Sequence, residues 1–582
     1  MTISIPQQAP TDSFDTTGTK VGTGPKGQIA HVDHIAHSNT YRKQLHAVGD
    51  SAWAYVGSGL SNQVFVRGPE GLIAIDSGES NQEMQNALTA LREVTDSPIV
   101  SLIYTHSHYV SGTEAIVAEM GYEPDIWGHA EIITNRAEVG LEHAPIAGLG
   151  AVHQFGLLLP PEGPDAMVNC GLGPWFKDPD NAPHTQGYIP PNKLFEERTT
   201  ATIAGLEVTM IPASSDASDS ITIWIPELRV AINNLLWPAI FNVFPIRGER
   251  FRDPTVLLTG LDELGSLGAE HLIGCHGPPI SGKDYIVSTV ELYRDSIQLM
   301  LDQTVRGMNA GFSIDELAQF VTLPDKYGAD YFTSQLYGLV EHHIKQIYTG
   351  LRGWFDSDAA RLFPLPPTER ANKLIAGFGG KDKVRSQIES AVAANDLRWA
   401  LEMATWLVKC EADATGRADG GDVDDRALLA SILRSIGQRT TSANIRNWCL
   451  TRALELDGSL DLTRFRTHRF SVGVVMASSP ADSVRALRVL YNPAAAPDEP
   501  TELVWNFDDG TSIGLTQRNG VAIPAEPSDD APRLTLSHMT WAKVLAGKLA
   551  LSTALASGEI VATDAAAATT FLAAFDPPAF HA

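Results

Sequence analysis

Between about residues 45 and 272, short apolar, β-branched runs alternate with stretches of helical spacing. GLIAIDSG (71–78), PIVSLIYTHSH (98–108), LEVTMIPAS (206–214) and SITIWIP (220–226) read as buried strands. Residues 81–94 carry the spacing of an amphipathic helix. Strands and helices in alternation predict sheets covered by helices. A long Gly-, Pro- and Asn-rich segment, 142–197, interrupts the pattern and reads as a loop covering a site. After Ser281 the β-branched runs thin out, and 285–425 reads as mostly helical, ending in a Gly/Asp-rich stretch, ATGRADGGDVDD. Beyond about Ser435 a helix (443–455) precedes strand-like TELVWNFDD, TSIGLTQRNGVAI and PRLTLSHM, then Ala-rich helices. Asn-Gly between apolar runs in QRNGVAI is a hairpin signal. The last stretch therefore reads as a small α+β domain. No internal repeat is present.

The chain has 582 residues, 43% hydrophobic and 19% charged, the balance of a folded globular protein of several domains. Its formal charge is −26. Such acidity argues against nucleic acid and against electrostatic attraction to anionic membranes. An anionic substrate would need positive charge brought in locally, by a metal ion or a single Arg. Cys170, Cys275, Cys410 and Cys449 are scattered, with no zinc-ribbon or disulfide spacing, which fits a reducing cytoplasm. The polar N-terminal stretch carries no signal-peptide pattern. The longest apolar run, 230–246, is broken by Asn233, Asn234, Pro238, Asn242 and Pro245, so no membrane span is expected.

Candidate chemistry gathers at strand ends. Tyr104-Thr105-His106-Ser107-His108 closes one apolar run, and two imidazoles two residues apart there can reach one ion. Gly274-Cys275-His276-Gly277-Pro278 follows another run, HLIG, and adds a third His on a loop. Asp216 and Asp219 follow the strand ending near Pro212, and Asp76 ends a fourth, where it could orient a ligand. Side chains converging from several rigid elements are what an open metal site requires. The plainer alternatives are polar residues at a strand end for the histidines and turn capping for the two aspartates in ASSDASD.

These motifs, in this order, resemble the metallo-β-lactamase superfamily and within it the alkyl sulfatase branch. The segment YTGLRGWFD (348–356) and LFPLPP are similar to that branch's helical dimerisation domain, and the C-terminal region resembles its sterol-carrier-like domain. The resemblance covers roughly residues 40–575. It implies an α+β architecture: an αββα metallo-β-lactamase fold, then an all-helical dimerisation domain, then a small α+β sterol-carrier-like domain. The expected division is a flexible tail (1–25), a catalytic domain (26–284), a helical domain (285–425) and a C-terminal domain (436–582). The family's turn reads THSHxDHxGG, its first two His serving one zinc and the following Asp-His a second. Here Val110 and Ser111 stand at those two positions, and Asn234 aligns with the bridging carboxylate. The resemblance thus leaves His106, His108 and Asp216 for one divalent ion, with zinc expected. Asp219 becomes a candidate general base and His276 a ligand or acid. Arg247, in the family's LRG motif, is expected to contact sulfate, its guanidinium fork suiting a tetrahedral oxyanion; pairing with Glu249 is its plainer fate. The family's Arg-rich sulfate segment is replaced by GAVHQFG (150–156), where His153 and Gln154 could line a less anionic pocket. The C-terminal domain implies an apolar groove for long-chain amphiphiles.

The expected function is a metal-dependent hydrolase acting on an amphiphilic or hydrophobic ester through a reduced, mononuclear site, in a cytoplasmic homodimer. The alternatives are a lyase or hydratase acting on a hydrophobic substrate and a non-catalytic dimeric binder of hydrophobic ligands.

Overall fold

The computed structural model describes residues 13–495 and 497–581. Among these, one sheet has seven strands in the order Gln44–Val48, Ala52–Val56, Gln63–Gly68, Gly71–Ile75, Ile99–Ile103, Asp125–His129 and Lys193–Phe195. Its first three pairings are antiparallel and its last three parallel. A second sheet has six strands, Thr199–Ile203, Leu206–Pro212, Ile221–Ile225, Val230–Asn233, His271–Gly274 and Ile280–Ser281, with one parallel pairing, between the fourth and fifth.

Alternation along each strand decides which face meets which layer. Val64, Val66, Ile73 and Ile75 pack with Val208, Met210, Ile223 and Ile232 into one core between the sheets. The intervening Phe65, Leu72 and Ala74 pack instead with Met84, Leu88 and Leu91 of the helix Asn81–Arg92. Ala231 and Leu272 join Leu257, Leu261 and Ile297, from the helices Pro254–Ser266 and Lys283–Asn309, on the outer face of the second sheet. The result is helix, sheet, sheet, helix. Both faces of these strands are covered, which is why they read as continuous apolar runs.

The helical region follows as expected and continues past residue 425. Val423–Arg439 and Ala443–Leu456 share a core with Leu397–Lys409 through Leu407, Leu429, Leu433 and Cys449. The 142–197 segment departs from expectation, because it contains the helix Ala144–Gln154. Its two glycines, Gly148 and Gly150, hide that helix from a composition-based reading. A Cβ on Gly150 would lie 2.3 Å from the Arg247 carbonyl oxygen, so the glycine permits a close approach there. Residues 1–12 of the expected tail lie outside the described residues. From Ser13 the backbone is already bonded to the body: Thr441 N–H donates to the Ser13 carbonyl at 3.1 Å and Asp15 N–H to that of Arg439 at 2.9 Å.

The chain divides into two compact units, Met1–Ile132 with Gly150–Asp461, and Ile133–Leu149 with Leu462–Ala582. The second holds a five-stranded sheet in the order Val521–Ala525, Ser512–Arg518, Thr501–Phe507, Arg533–Leu536, Ile560–Ala562. Asn519 (φ 53°) and Gly520 (φ 75°) form the tight turn that the Asn-Gly pair announced. Trp505, Trp541 and Phe571 centre its core.

Candidate metal centre

The expected residues converge where four strands end. Ile99–Ile103 runs into Thr105-His106-Ser107-His108, Leu206–Pro212 into Asp216 and Asp219, Val230–Asn233 into Asn234, and His271–Gly274 into Cys275-His276. His106, His108 and Asp216 offer ligand atoms that all lie within 4.8 Å of one another. Asp216 Oδ2 is 3.2 Å from His108 Nδ1, and Asp216 Oδ1 is 3.9 Å from His106 Nε2. Burial pushes the Asp216 carboxyl up, but His108 and His106 outweigh it and hold the group well below its usual range. The Asn234 amide donates to Asp216 Oδ1 at 2.6 Å. Asn234 therefore fixes the Asp216 carboxylate.

Hydrogen bonds set the tautomers. Thr105 Oγ1 donates its one proton to Asp76 Oδ2 at 2.6 Å, so its 2.8 Å contact with His106 requires His106 Nδ1–H as donor. His276 Nδ1 meets the Leu60 carbonyl at 2.7 Å and must also be protonated, since a carbonyl only accepts. Each ring is left with a lone pair on Nε2, and both Nε2 atoms are buried without a partner. Burial lowers His106 to about 3 and His276 to about 4, offset in part by Asp216 for the first and by the bond to Leu60 for the second. Both are neutral imidazoles at neutral pH. An orphaned imidazole lone pair on His106 within 4.8 Å of a carboxylate and a second imidazole, that of His108, is a donor set that suits a divalent cation.

Asp76 supports this site from behind. It sits at φ 57°, an uncommon conformation for a non-glycine residue, with Oδ1 accepting the Thr105 N–H at 2.8 Å. Burial raises its pKa to about 7 despite these bonds. Asp76, His106 and Cys275 form a second cluster of potential ligands, but Thr105 already engages all three. Asp219 is fully buried and accepts the Ser107 N–H at 3.2 Å, holding the turn between the two histidines. Val110 is fully buried in the core beneath Asn81–Arg92, and Ser111 is tied through its backbone to Gly78 and Gly187. Neither position offers a second ion a charged or imidazole donor.

Arg247 is paired with Glu249, which also binds Arg252, and lies over the Phe155 ring with its guanidinium carbon 5.3 Å from the centroid. Its expected plainer partner is therefore real, and the side chain keeps 13% exposure. Gln154 accepts the Arg247 N–H at 3.0 Å and donates to the Tyr337 hydroxyl at 2.9 Å. His153 instead packs on Trp448, centroids 4.6 Å apart. Trp237 contributes an apolar wall, its ring 5.4 Å from His276 and stacked on Phe241 at 4.5 Å. Sequence reasoning missed Thr105, although it lies inside the histidine motif, and it also missed Tyr109, Tyr337 and the Leu60 carbonyl. The first two adjoin recognised ligands; the others are distant in sequence and leave no local signal.

A two-sheet sandwich covered by helices, with histidines and an aspartate gathered at its strand ends, is the arrangement expected from the sequence. The alkyl sulfatase dimerisation family model matches residues 313–459. The chain is 35% identical to a linear primary-alkylsulfatase of Pseudomonas sp. over 404 residues, 68% of this chain and 74% of that one. It is 27% identical to an alkyl/aryl-sulfatase of Saccharomyces cerevisiae over 539 residues, 89% of this chain and 80% of the other. The solved structure of a stereoselective inverting sec-alkylsulfatase from Pseudomonas sp. superposes with a TM-score of 0.84 at 22% identity, covering 99% of this chain and 92% of that one. The chain belongs to the alkyl sulfatase family of hydrolases.

Proposed function

We propose that the protein hydrolyses sulfate esters of hydrophobic alcohols at a site built for one divalent ion, held by His106, His108 and Asp216. The observation that carries this reading is that the ligand atoms of His106, His108 and Asp216 all lie within 4.8 Å of one another, with the His106 Nε2 lone pair buried and unpartnered. Such an ion, zinc by this ligand set, supplies Lewis acidity that brings a water proton within reach of neutral pH. The chain's own residues do the rest. Thr105 and Asp76 fix the His106 ring, Asn234 fixes Asp216, and Asp219 fixes the turn between the ligands. His276, locked by Leu60 with Nε2 bare, is placed to hold a ligand or accept a proton. Arg247 faces the sulfate head, with Phe155 and Trp237 offering apolar surface for the chain. Overall, water divides the ester into an alcohol and hydrogen sulfate.

The similarity to a linear primary-alkylsulfatase and to an alkyl/aryl-sulfatase supports an alkyl sulfate substrate. The matched dimerisation family supports a homodimer, and Trp354 (63% exposed) and Phe363 (92% exposed) mark the apolar surface for it. No helix among the described residues is long and apolar enough to cross a membrane. Metal analysis of the purified chain, with dodecyl sulfate turnover, tests the reading. About one divalent ion per chain, lost in Asp216→Ala together with turnover, supports it. Two tightly held ions, or turnover unaffected by removing the metal, overturns the one-ion site.

A further inference from the structure

The segment Leu60-Ser61-Asn62 leads into the strand Gln63–Gly68 of the seven-stranded sheet, and Gly274-Cys275-His276-Gly277 leaves the strand His271–Gly274 of the six-stranded one. Asn62 joins the two. Its main-chain N–H donates to the Cys275 carbonyl at 2.7 Å. Its side-chain Nδ2 donates to the Gly274 carbonyl at 2.8 Å and to the Gly277 carbonyl at 2.7 Å. These three carbonyls flank His276 on both sides. The same segment holds the ring, since His276 Nδ1–H donates to the Leu60 carbonyl at 2.7 Å, and the Leu60 N–H is anchored in turn on Glu79 Oε1 at 3.3 Å. Asn62 is buried, so solvent does not compete for its bonds.

This clamp matters because the parts of the site ride on different sheets. His106 and His108 follow a strand of the seven-stranded sheet, whereas Asp216 and His276 follow strands of the six-stranded one. The strand pairing that supports His276 ends at Gly274, and Gly277 at φ 72° turns the chain away just beyond the ring. An amide nitrogen with two protons can bridge carbonyls on both sides of one residue without bringing a charge into the interior. We propose that Asn62 is a positioning residue for the hydrolysis. It ties the His276 loop to the sheet that carries His106 and His108, and so sets where the bare Nε2 of His276 stands relative to them. Asn62 acts through His276 and not on the substrate. The inference rests on the hydrolase reading above.

The test is a double-mutant cycle in the full chain loaded with zinc, using Asn62→Leu, His276→Gln and the two combined. Leu keeps a branched side chain and loses both donors. Asn62→Leu should lower kcat for dodecyl sulfate about 10- to 100-fold, with KM within about threefold and zinc content unchanged. In the His276→Gln background the same change should cost less than about twofold, because the residue it acts through is gone. A second readout uses the metal-free chain with nitrogen-15-labelled histidine. The His276 ring signals, identified by their absence in His276→Gln, should shift in Asn62→Leu from the fixed Nδ1–H form towards a mixture of tautomers. An equal loss of kcat in both backgrounds overturns the positioning role, as do His276 signals that stay in place or a loss of zinc that His276→Gln does not share. If Asn62→Leu does not fold, Asn62→Asp, which keeps the side chain's shape and the main-chain bond to Cys275, carries the same cycle and spectra. An unmodified protein that turns over no alkyl sulfate overturns the hydrolase reading, and the positioning role falls with it.

Discussion

Thr105→Val is a sharp test of the site because the two side chains are nearly isosteric and only the hydroxyl is lost. That hydroxyl is fully buried and contacts Asp76 Oδ2 at 2.6 Å, His106 Nδ1 at 2.8 Å and Cys275 Sγ at 3.2 Å. Its removal takes the nearest donor from the buried Asp76 carboxyl and leaves the His106 ring N–H without its partner. At about 1–3 kcal/mol per unsatisfied buried group, the loss of stability is about 2–6 kcal/mol. The Thr105 N–H to Asp76 Oδ1 bond survives, so the strand end should keep its course. The His106 ring, however, loses the partner that fixes its tautomer. Losses of this kind weaken metal binding by about 10- to 100-fold. Urea unfolding of the metal-free protein reads the first effect, and chelator competition reads the second. Thr105→Ser keeps the hydroxyl and should stay within about 1 kcal/mol and a few-fold of the parent. If Thr105→Val matches the parent in both assays, the tautomer argument for His106 is wrong.

Arg247→Ala should raise KM for an alkyl sulfate by about 10-fold or more, since it removes the cation expected at the sulfate head; an unchanged KM takes Arg247 out of the site. Stability should fall on acidification. Burial depresses His343 in the folded state to about 3, well below the ordinary histidine value, so from about pH 6.5 downward the unfolded chain takes up its proton first. The group's contribution is complete above pH 6.5 and is lost progressively toward pH 3. His343→Asn should flatten the slope of unfolding free energy against pH by up to about 1.4 kcal/mol per pH unit in that window, and an unchanged slope refutes the assignment. Trp354→Ser with Phe363→Ser should convert the expected dimer to monomer, read by sedimentation; a persistent dimer places the interface elsewhere.

Local pattern carried most of the fold. The runs at 71–78, 98–108, 206–214 and 220–226 are strands, and the Asn-Gly hairpin turn falls where its dipeptide stands. Covered on both faces, the strands need apolar residues at every position, and that necessity is legible without a structure. The helix Ala144–Gln154 was not legible, because one of its glycines, Gly150, serves a contact with Arg247, a residue about a hundred positions away.

For the site, the sequence by itself determined which residue types were on hand: two histidines at one strand end, an acidic turn, a third histidine on a loop and an Arg in a recognisable motif. It also determined what was missing, since Val110 can bind no ion whatever its surroundings. Tertiary structure alone decided the working state of each group. The bare Nε2 of His276 depends on the Leu60 carbonyl, that of His106 on Thr105 and Asp76, and the set of Asp216 on Asn234. Protonation, tautomer and freedom to bind are properties of contacts between distant segments within a low-dielectric interior, and no single segment of sequence contains both sides of such a contact.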